Sequence, residues 1–287
     1  MKTNFLKHSG LILLGILAGC SPANPPTTEA PPSGKITIRG SNTVGEELAP
    51  ALITEYKKAH PNAVFDLESK GTPYGFGALA GGFCDIAGAS RLPSKDEAEV
   101  LQFRNTELND HVIGAYSVAV VVNAANPVAN LTREQVRDLF TGVITNWSAV
   151  GGPGAPVHLF ARDPISWTYI GFKELAMENK SYAREQNLFT NYQGIVAGVA
   201  KDADGIGYSS LELAASSGVK AVSIGGIAPG MESVNSGEYP YARKLHLFTS
   251  KGHEAQAALD FIQFVLSERG QKILAETGNT PLAKINP

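Results

Sequence analysis

The chain has 287 residues, 43% hydrophobic and 18% charged, with a formal charge of −3. This is ordinary globular usage, and it excludes a disordered chain, a collagen-like repeat and the strongly basic footprint of nucleic-acid binding. Two cysteines exclude a disulfide-dense scaffold, and at about 100–200 residues per domain the length predicts two lobes or one large domain.

Lys2 and Lys7 precede a short apolar run at 11–17. The run is shorter than the ~18–20 apolar residues a membrane helix needs, so 1–19 reads as a secretory signal peptide. It ends in Leu17-Ala18-Gly19-Cys20, which is similar to a bacterial lipobox. Cys20 is then the lipidation site, the alternative being a plain signal peptide with an incidental cysteine. Residues 20–34 hold five prolines and no large apolar side chain, a composition that stays extended. They read as a tether between the lipid and a folded part that begins near Lys35.

Residues 35–39 (KITIR) alternate as a strand should, and 40–43 follow as a loop. Leu48, Leu52, Ile53 and Tyr56 then recur at helical spacing, with Pro50 placed in the first turn. A strand at 63–68, a loop at 71–74, a short helix at 75–80 and a strand at 84–89 complete a βαβαβ pattern. That pattern predicts a parallel sheet with right-handed crossovers. The unbroken apolar run 117–123 (SVAVVVN) predicts a strand buried on both faces that crosses directly between lobes. Leu131-Thr132-Arg133-Glu134 looks like a capped helix start, with Val136, Leu139 and Phe140 on one face. Further strands are expected at 157–160, 205–209 and 244–249, and helices at 167–177 and from 257 through 276. The 244–249 strand is a candidate for bringing the chain back to the first lobe. No repeat of fixed period is visible.

Gly75-Phe76-Gly77-Ala78-Leu79-Ala80 fits the G-x-G-x-x-A form of a dinucleotide fingerprint, but a lone match is weak. An anion-binding glycine loop is the favoured reading of these residues. There is no G-x-S-x-G elbow, phosphate-binding Walker loop or H-E-x-x-H helix, so neither catalysis nor a metal or other cofactor is expected. Six scattered histidines read as surface or packing residues, and Cys84 reads as a buried small hydrophobe. Ser41-Asn42-Thr43-Val44, Gly71-Thr72-Pro73-Tyr74 and 162–168 (RDPISWT) each lie between a strand and a helix and carry hydroxyls. One such loop alone is ordinary N-capping. Three at the carboxyl ends of parallel strands point to a ligand, because helix-start N–H groups and hydroxyls favour an oxyanion.

These stretches carry a resemblance to a known family. ITIRGSNTVGEELAPAL, ESKGTPYGFGALAGGFCDIAGASRLP, LTREQVRDLFTGVITNWSAVGG, GIGYSSLEL and KLHLFTSKG make the chain similar to the PstS-like substrate-binding proteins of bacterial phosphate ABC transporters. The resemblance implies a two-lobed α/β periplasmic-binding-protein fold of type II, with hinge-linked mixed sheets and an interlobe cleft. Residues 35–117 plus 246–287 would form lobe 1 and residues 118–245 lobe 2. It also implies a monomeric receptor, not an enzyme, at the periplasm or cell surface. That receptor captures inorganic phosphate or a related tetrahedral oxyanion and delivers it to ABC permease subunits, touching the membrane through its lipid alone. Carried over by position, Thr43 would donate a hydroxyl and a backbone N–H, and Val44 a backbone N–H. Thr72 would donate a hydroxyl, and Arg162, Ser166, Trp167 and Thr168 would supply the second loop.

Two departures stand out. Ile165 and Trp167 replace the glycines of the family's Arg-x-x-Gly-Ser-Gly-Thr loop, where small residues admit close backbone approach. Arg91 follows Gly88-Ala89-Ser90 where many relatives place an aspartate that accepts the proton of phosphate. Arg91 is either a cleft donor or a surface partner of Asp96 or Glu97. These departures leave phosphate-over-sulfate selectivity open. They also motivate an alternative reading: a PstS-like surface sensor or interaction protein whose anion is altered or lost. A secreted phosphoester hydrolase ranks last, since no nucleophile with a base is visible.

Overall fold

The computed structural model describes residues 34–283. The predicted signal peptide, Cys20 and nearly all of the tether lie outside the described residues. Among the described residues, two five-stranded sheets organise the chain. In the first, Ile36–Gly40 pairs in parallel with Phe65–Ser69 on one side and Ile86–Ala89 on the other, the expected βαβαβ arrangement. Strand Ala242–Ser250 then inserts antiparallel between Ile86–Ala89 and Leu108–Ser117. In the second sheet, Val219–Ala221, Ala119–Asn123, Gly205–Ser209, His158–Arg162 and Asn187–Phe189 lie side by side. Its pairings are antiparallel around Ala119–Asn123 and parallel around His158–Arg162. Two mixed sheets of this kind make a two-lobed α/β fold.

The apolar run passes from one sheet to the other with a single residue between strands. Leu108–Ser117 ends in the first sheet, and Ala119–Asn123 begins in the second. Val118 between them is fully buried, donates its N–H to Tyr241 C=O and accepts the Tyr239 hydroxyl at 3.1 Å. The outgoing and returning chains are therefore tied together at the crossing. Val118 to Val122 are all fully buried, as five consecutive apolar residues require. In Ile36–Gly40, by contrast, Ile36 and Ile38 are buried and their neighbours half-buried, the period of two that the sequence carries.

Helix starts follow local chemistry. Arg133–Thr141 opens on a reciprocal capping box between Thr132 and Gln135 and buries Val136, Leu139 and Phe140. Pro50 sits in the first turn of Ala49–Ala59, as expected. A π-helical turn, Val44–Leu48, precedes it, and the Ala49 N–H bonds Val44 C=O. Pro50 has no N–H to offer Glu46 C=O, so this widened turn sacrifices no hydrogen bond there.

Several expectations needed correction. Helix Thr72–Ala80 begins at Thr72, not at 75, because Gly71 adopts φ 95° and Pro73 fits the first turn. Gly75 and Gly77 are thus helical and do not form an anion-binding loop. Gly75 is needed for packing: a Cβ there would lie 2.9 Å from Gly40 Cα and 2.9 Å from Arg39 O. Cys84 precedes strand Ile86–Ala89 and is half-buried. Desolvation pushes its thiol up to about 12, which fits a packing role. The terminal helical pattern is two helices, Gln256–Leu266 and Glu268–Glu276, broken at Ser267, whose hydroxyl caps the Gly270 N–H at 3.3 Å.

Candidate functional site

A cleft of about 490 Å3 opens between elements of the two sheets. The first sheet contributes Ser41, Asn42 and Thr43 after strand Ile36–Gly40, Thr72 at the start of its helix, and Ser90 and Arg91 after Ile86–Ala89. All three segments leave the carboxyl ends of parallel strands, where open α/β sheets bind ligands. The opposite wall is helix Trp167–Ala176, which presents Trp167, Ile170, Gly171 and Glu174. Arg243, from the returning strand, closes the back.

The hydroxyls are set up as donors. Thr43 Oγ1 accepts from Arg243 Nη2 at 2.7 Å, and Thr72 Oγ1 accepts from the Ser90 N–H at 3.3 Å. A hydroxyl has one hydrogen, so an oxygen already accepting from a fixed donor turns that hydrogen elsewhere. Among the described residues neither Thr43 nor Thr72 has another side-chain hydrogen bond, and both face the cleft. An oxyanion accepts from such groups.

Arg91 lines the same cleft, but its guanidinium is held by Glu97 through bonds of 2.6 and 2.9 Å. It is the surface partnership foreseen as the alternative role. Arg91 beside it, with help from the Ser94 cap, holds the Glu97 carboxyl at about 2. The folded value lies below the unfolded one, so the pair stabilises the fold above pH ~4.3, and that contribution is lost as pH falls toward 2. Solvent screening keeps it modest, because the Arg91 side chain is 44% exposed. An NMR titration should place the Glu97 midpoint near 2 in the wild type, rising toward the usual 4.5 in Arg91→Gln. A wild-type midpoint above 4 would refute the pairing.

Arg162 lies elsewhere. It lines a neighbouring cleft of about 590 Å3 together with Glu47, Thr168, Tyr192 and Lys272. Its guanidinium stacks over the Tyr192 ring at 5.4 Å, and its buried Nε has no partner. Burial raises the Tyr192 phenol to about 12, which keeps it an O–H donor at neutral pH. A narrow passage of about 30 Å3, bounded by Thr43, Tyr116, Trp167, Thr168 and Tyr192, lies between the two clefts. Ser166 caps helix Trp167–Ala176 through the Thr168 N–H, and its hydroxyl lies 2.7 Å from Thr168 Oγ1. Val44 is buried behind Thr43, and Ile165 points out, 90% exposed. Thr43, Thr72, Arg91 and Trp167 therefore share one cleft, Arg162 lies in the other, and Thr168 faces the second cleft and the passage.

Two charged residues of the main cleft escaped the sequence reading: Arg243 and Glu174. Arg243 stands one residue before the alternating run KLHLFT that marked the strand. Glu174 had a signal, since residues 167, 170, 171 and 174 follow helical spacing and form one face. Among the described residues no cluster of side chains suits a metal ion, and no helix is long and apolar enough to cross a membrane.

Two mixed sheets joined at a crossing, with a hydroxyl- and arginine-lined cleft between their elements, define a two-lobed solute-binding protein. Comparison with known proteins agrees. The family description "PBP superfamily domain" matches residues 25–269. The phosphate-binding protein PstS of Borreliella burgdorferi is 28% identical over 255 residues, covering 85% of this chain and 88% of that protein. A solved "possible phosphate binding protein" from Planctomyces limnophilus superposes with a TM-score of 0.79 at 28% identity, covering 87% of this chain and 93% of the other. An ABC-type phosphate transport receptor from Vibrio cholerae superposes with a TM-score of 0.67 at 28% identity, covering 85% and 99%. The chain belongs to the PBP superfamily, in its PstS-like group, a family of substrate-binding receptors and not of enzymes.

Proposed function

We propose that this chain is an extracytoplasmic solute-binding protein that captures phosphate or a similar tetrahedral oxyanion and hands it to the permease subunits of an ABC transporter. The reading includes a monomer anchored through lipidated Cys20. The observation that carries it is the main cleft, where two threonine hydroxyls, each already accepting a hydrogen bond, converge with arginine side chains. In the bound state Thr43 and Val44 supply donors from one side, with Thr72. Ser166, Trp167, Thr168 and Arg162 close from the other, meeting the first group across the passage between Thr43 and Thr168. A ligand that touches both walls favours the shut state, because only there are all its contacts made. Lobe 1 is residues 35–117 with the returning strand and the C-terminal helices, and lobe 2 is the segment between. Strand pairing favours a return at Ala242, four residues before the boundary expected from sequence.

Charge-assisted hydrogen bonds contribute about 1.5–3 kcal/mol each, so several reach micromolar affinity, about −8 kcal/mol. Calorimetry should detect binding in that range for at least one of phosphate, sulfate, arsenate, molybdate or tungstate. At a hundredfold excess over Kd that anion should add about 2.7 kcal/mol to the stability of the fold. Flat titrations with the whole panel sink the proposal. They would select instead a sensor or interaction protein without an anion, a reading favoured by the carboxylates that already occupy Arg91 and Arg243.

A further inference from the structure

Arg243 reaches both walls of the cleft. Its Nη2 donates to Thr43 Oγ1 at 2.7 Å on the first-sheet side. Its Nη1 donates at 2.8 Å to Glu174 Oε2, on helix Trp167–Ala176 of the opposite wall. The guanidinium lies over the Tyr116 ring at 5.4 Å, and Tyr116 is the strand partner of Arg243. The buried Nε of Arg243 has no partner. Backbone pairing, the ring beneath and the Thr43 bond all hold the arginine in place.

Glu174 is held less firmly. Its side chain is 41% exposed against 22% for Arg243, and the Arg243 ion pair is its single salt bridge among the described residues. An exposed carboxylate released from such a pair returns to water at little cost. The guanidinium it leaves cannot lose its charge and matches a tetrahedral oxyanion as well as it matches a carboxylate.

We propose that Arg243 is a further anion-contacting cation, on the main cleft, and that Glu174 is its resident counter-ion, displaced when a dianion enters. This rests on the solute-binding reading above and names a specificity-determining pair within it. The carboxylate neutralises Arg243 while the cleft is empty. Every entering dianion must then compete with it, which sets a threshold on affinity.

Calorimetry with phosphate and with sulfate on four proteins tests the pair: wild type, Arg243→Gln, Arg243→Lys and Glu174→Gln. Arg243→Gln should weaken both anions by about 10–100-fold, the loss of a charged hydrogen-bonding partner. Arg243→Lys should recover part of that loss, since it restores charge without the fork. Glu174→Gln should bind both anions about 2–5-fold more tightly, as removal of an exposed competitor predicts. Because the Glu174 side chain is 41% exposed, that variant tests the inference even if Arg243→Gln does not fold. A wild-type protein that binds no anion defeats the solute-binding reading and this inference with it. A wild type that binds while Arg243→Gln binds equally well, or while Glu174→Gln binds more weakly, overturns the inference alone.

Discussion

Gly40→Val should destabilise the protein by about 3–5 kcal/mol. Gly40 ends strand Ile36–Gly40, which pairs on both sides, at φ 136°, and a Cβ there would sit 2.1 Å from the carbonyl oxygen of Gly88. Neither group can retreat. Gly40 C=O accepts the N–H groups of Lys70 and Gly71 at 2.9 Å each, and Gly88 C=O accepts the Ser41 N–H at 2.8 Å. Those bonds set the exits of the three segments that carry Ser41, Thr43, Thr72 and Ser90 into the cleft. Urea unfolding should show a lower midpoint with an unchanged slope. Gly77→Ala is the control: it is helical, its added methyl meets nothing within 4 Å, and it should gain about 0.5–1 kcal/mol. Similar losses in the two variants would show that loss of a glycine, and not the Gly88 carbonyl 2.1 Å from the added Cβ, causes the destabilisation.

Trp147→Ala should cost about 3–5 kcal/mol, the range for truncating a large buried aromatic side chain. Trp147 ends the LFTGVITNW stretch, is fully buried, and donates Nε1–H to Asp204 C=O at 2.9 Å. That bond reaches across 57 residues to the turn before strand Gly205–Ser209. Truncation leaves a cavity and removes one of the two hydrogen bonds at Asp204 C=O, which keeps the His158 N–H at 3.0 Å. Trp147→Phe keeps most of the apolar area and loses the bond, so its cost should fall to about 1–3 kcal/mol. Thermal or urea melts order the three proteins. A Trp147→Ala variant within 1 kcal/mol of wild type would show that the surrounding side chains collapse into the space.

Elements whose chemistry is local were legible in the sequence. Thr132 and Gln135 cap a helix across three residues, and Gly205–Ser209 stands where its short β-rich run predicted. Helix Lys95–Phe103 was missed although Ser94 and Glu97 carry the same capping-box signal. Strand Leu108–Ser117 was missed for a different reason. Its first part, Leu-Asn-Asp-His, is mostly polar and less buried, and only five residues, from Ile113 to Ser117, are buried.

By itself the sequence determined the class of fold, the apolar run that passes from one sheet to the other and the hydroxyl loops after the first sheet's strands. Period-two and helical spacing, caps and prolines act through neighbours a few residues apart, so they can be read along the chain. Tertiary structure alone decided which cations meet those hydroxyls. Arg243 lies 200 residues from Thr43 and reaches it only because Ala242–Ser250 pairs between two earlier strands. Arg91 turned to a nearby carboxylate, and Arg162 stacked on Tyr192 in a separate cleft. A charged side chain takes the partner that folding places within about 3 Å, and no local pattern encodes that distance.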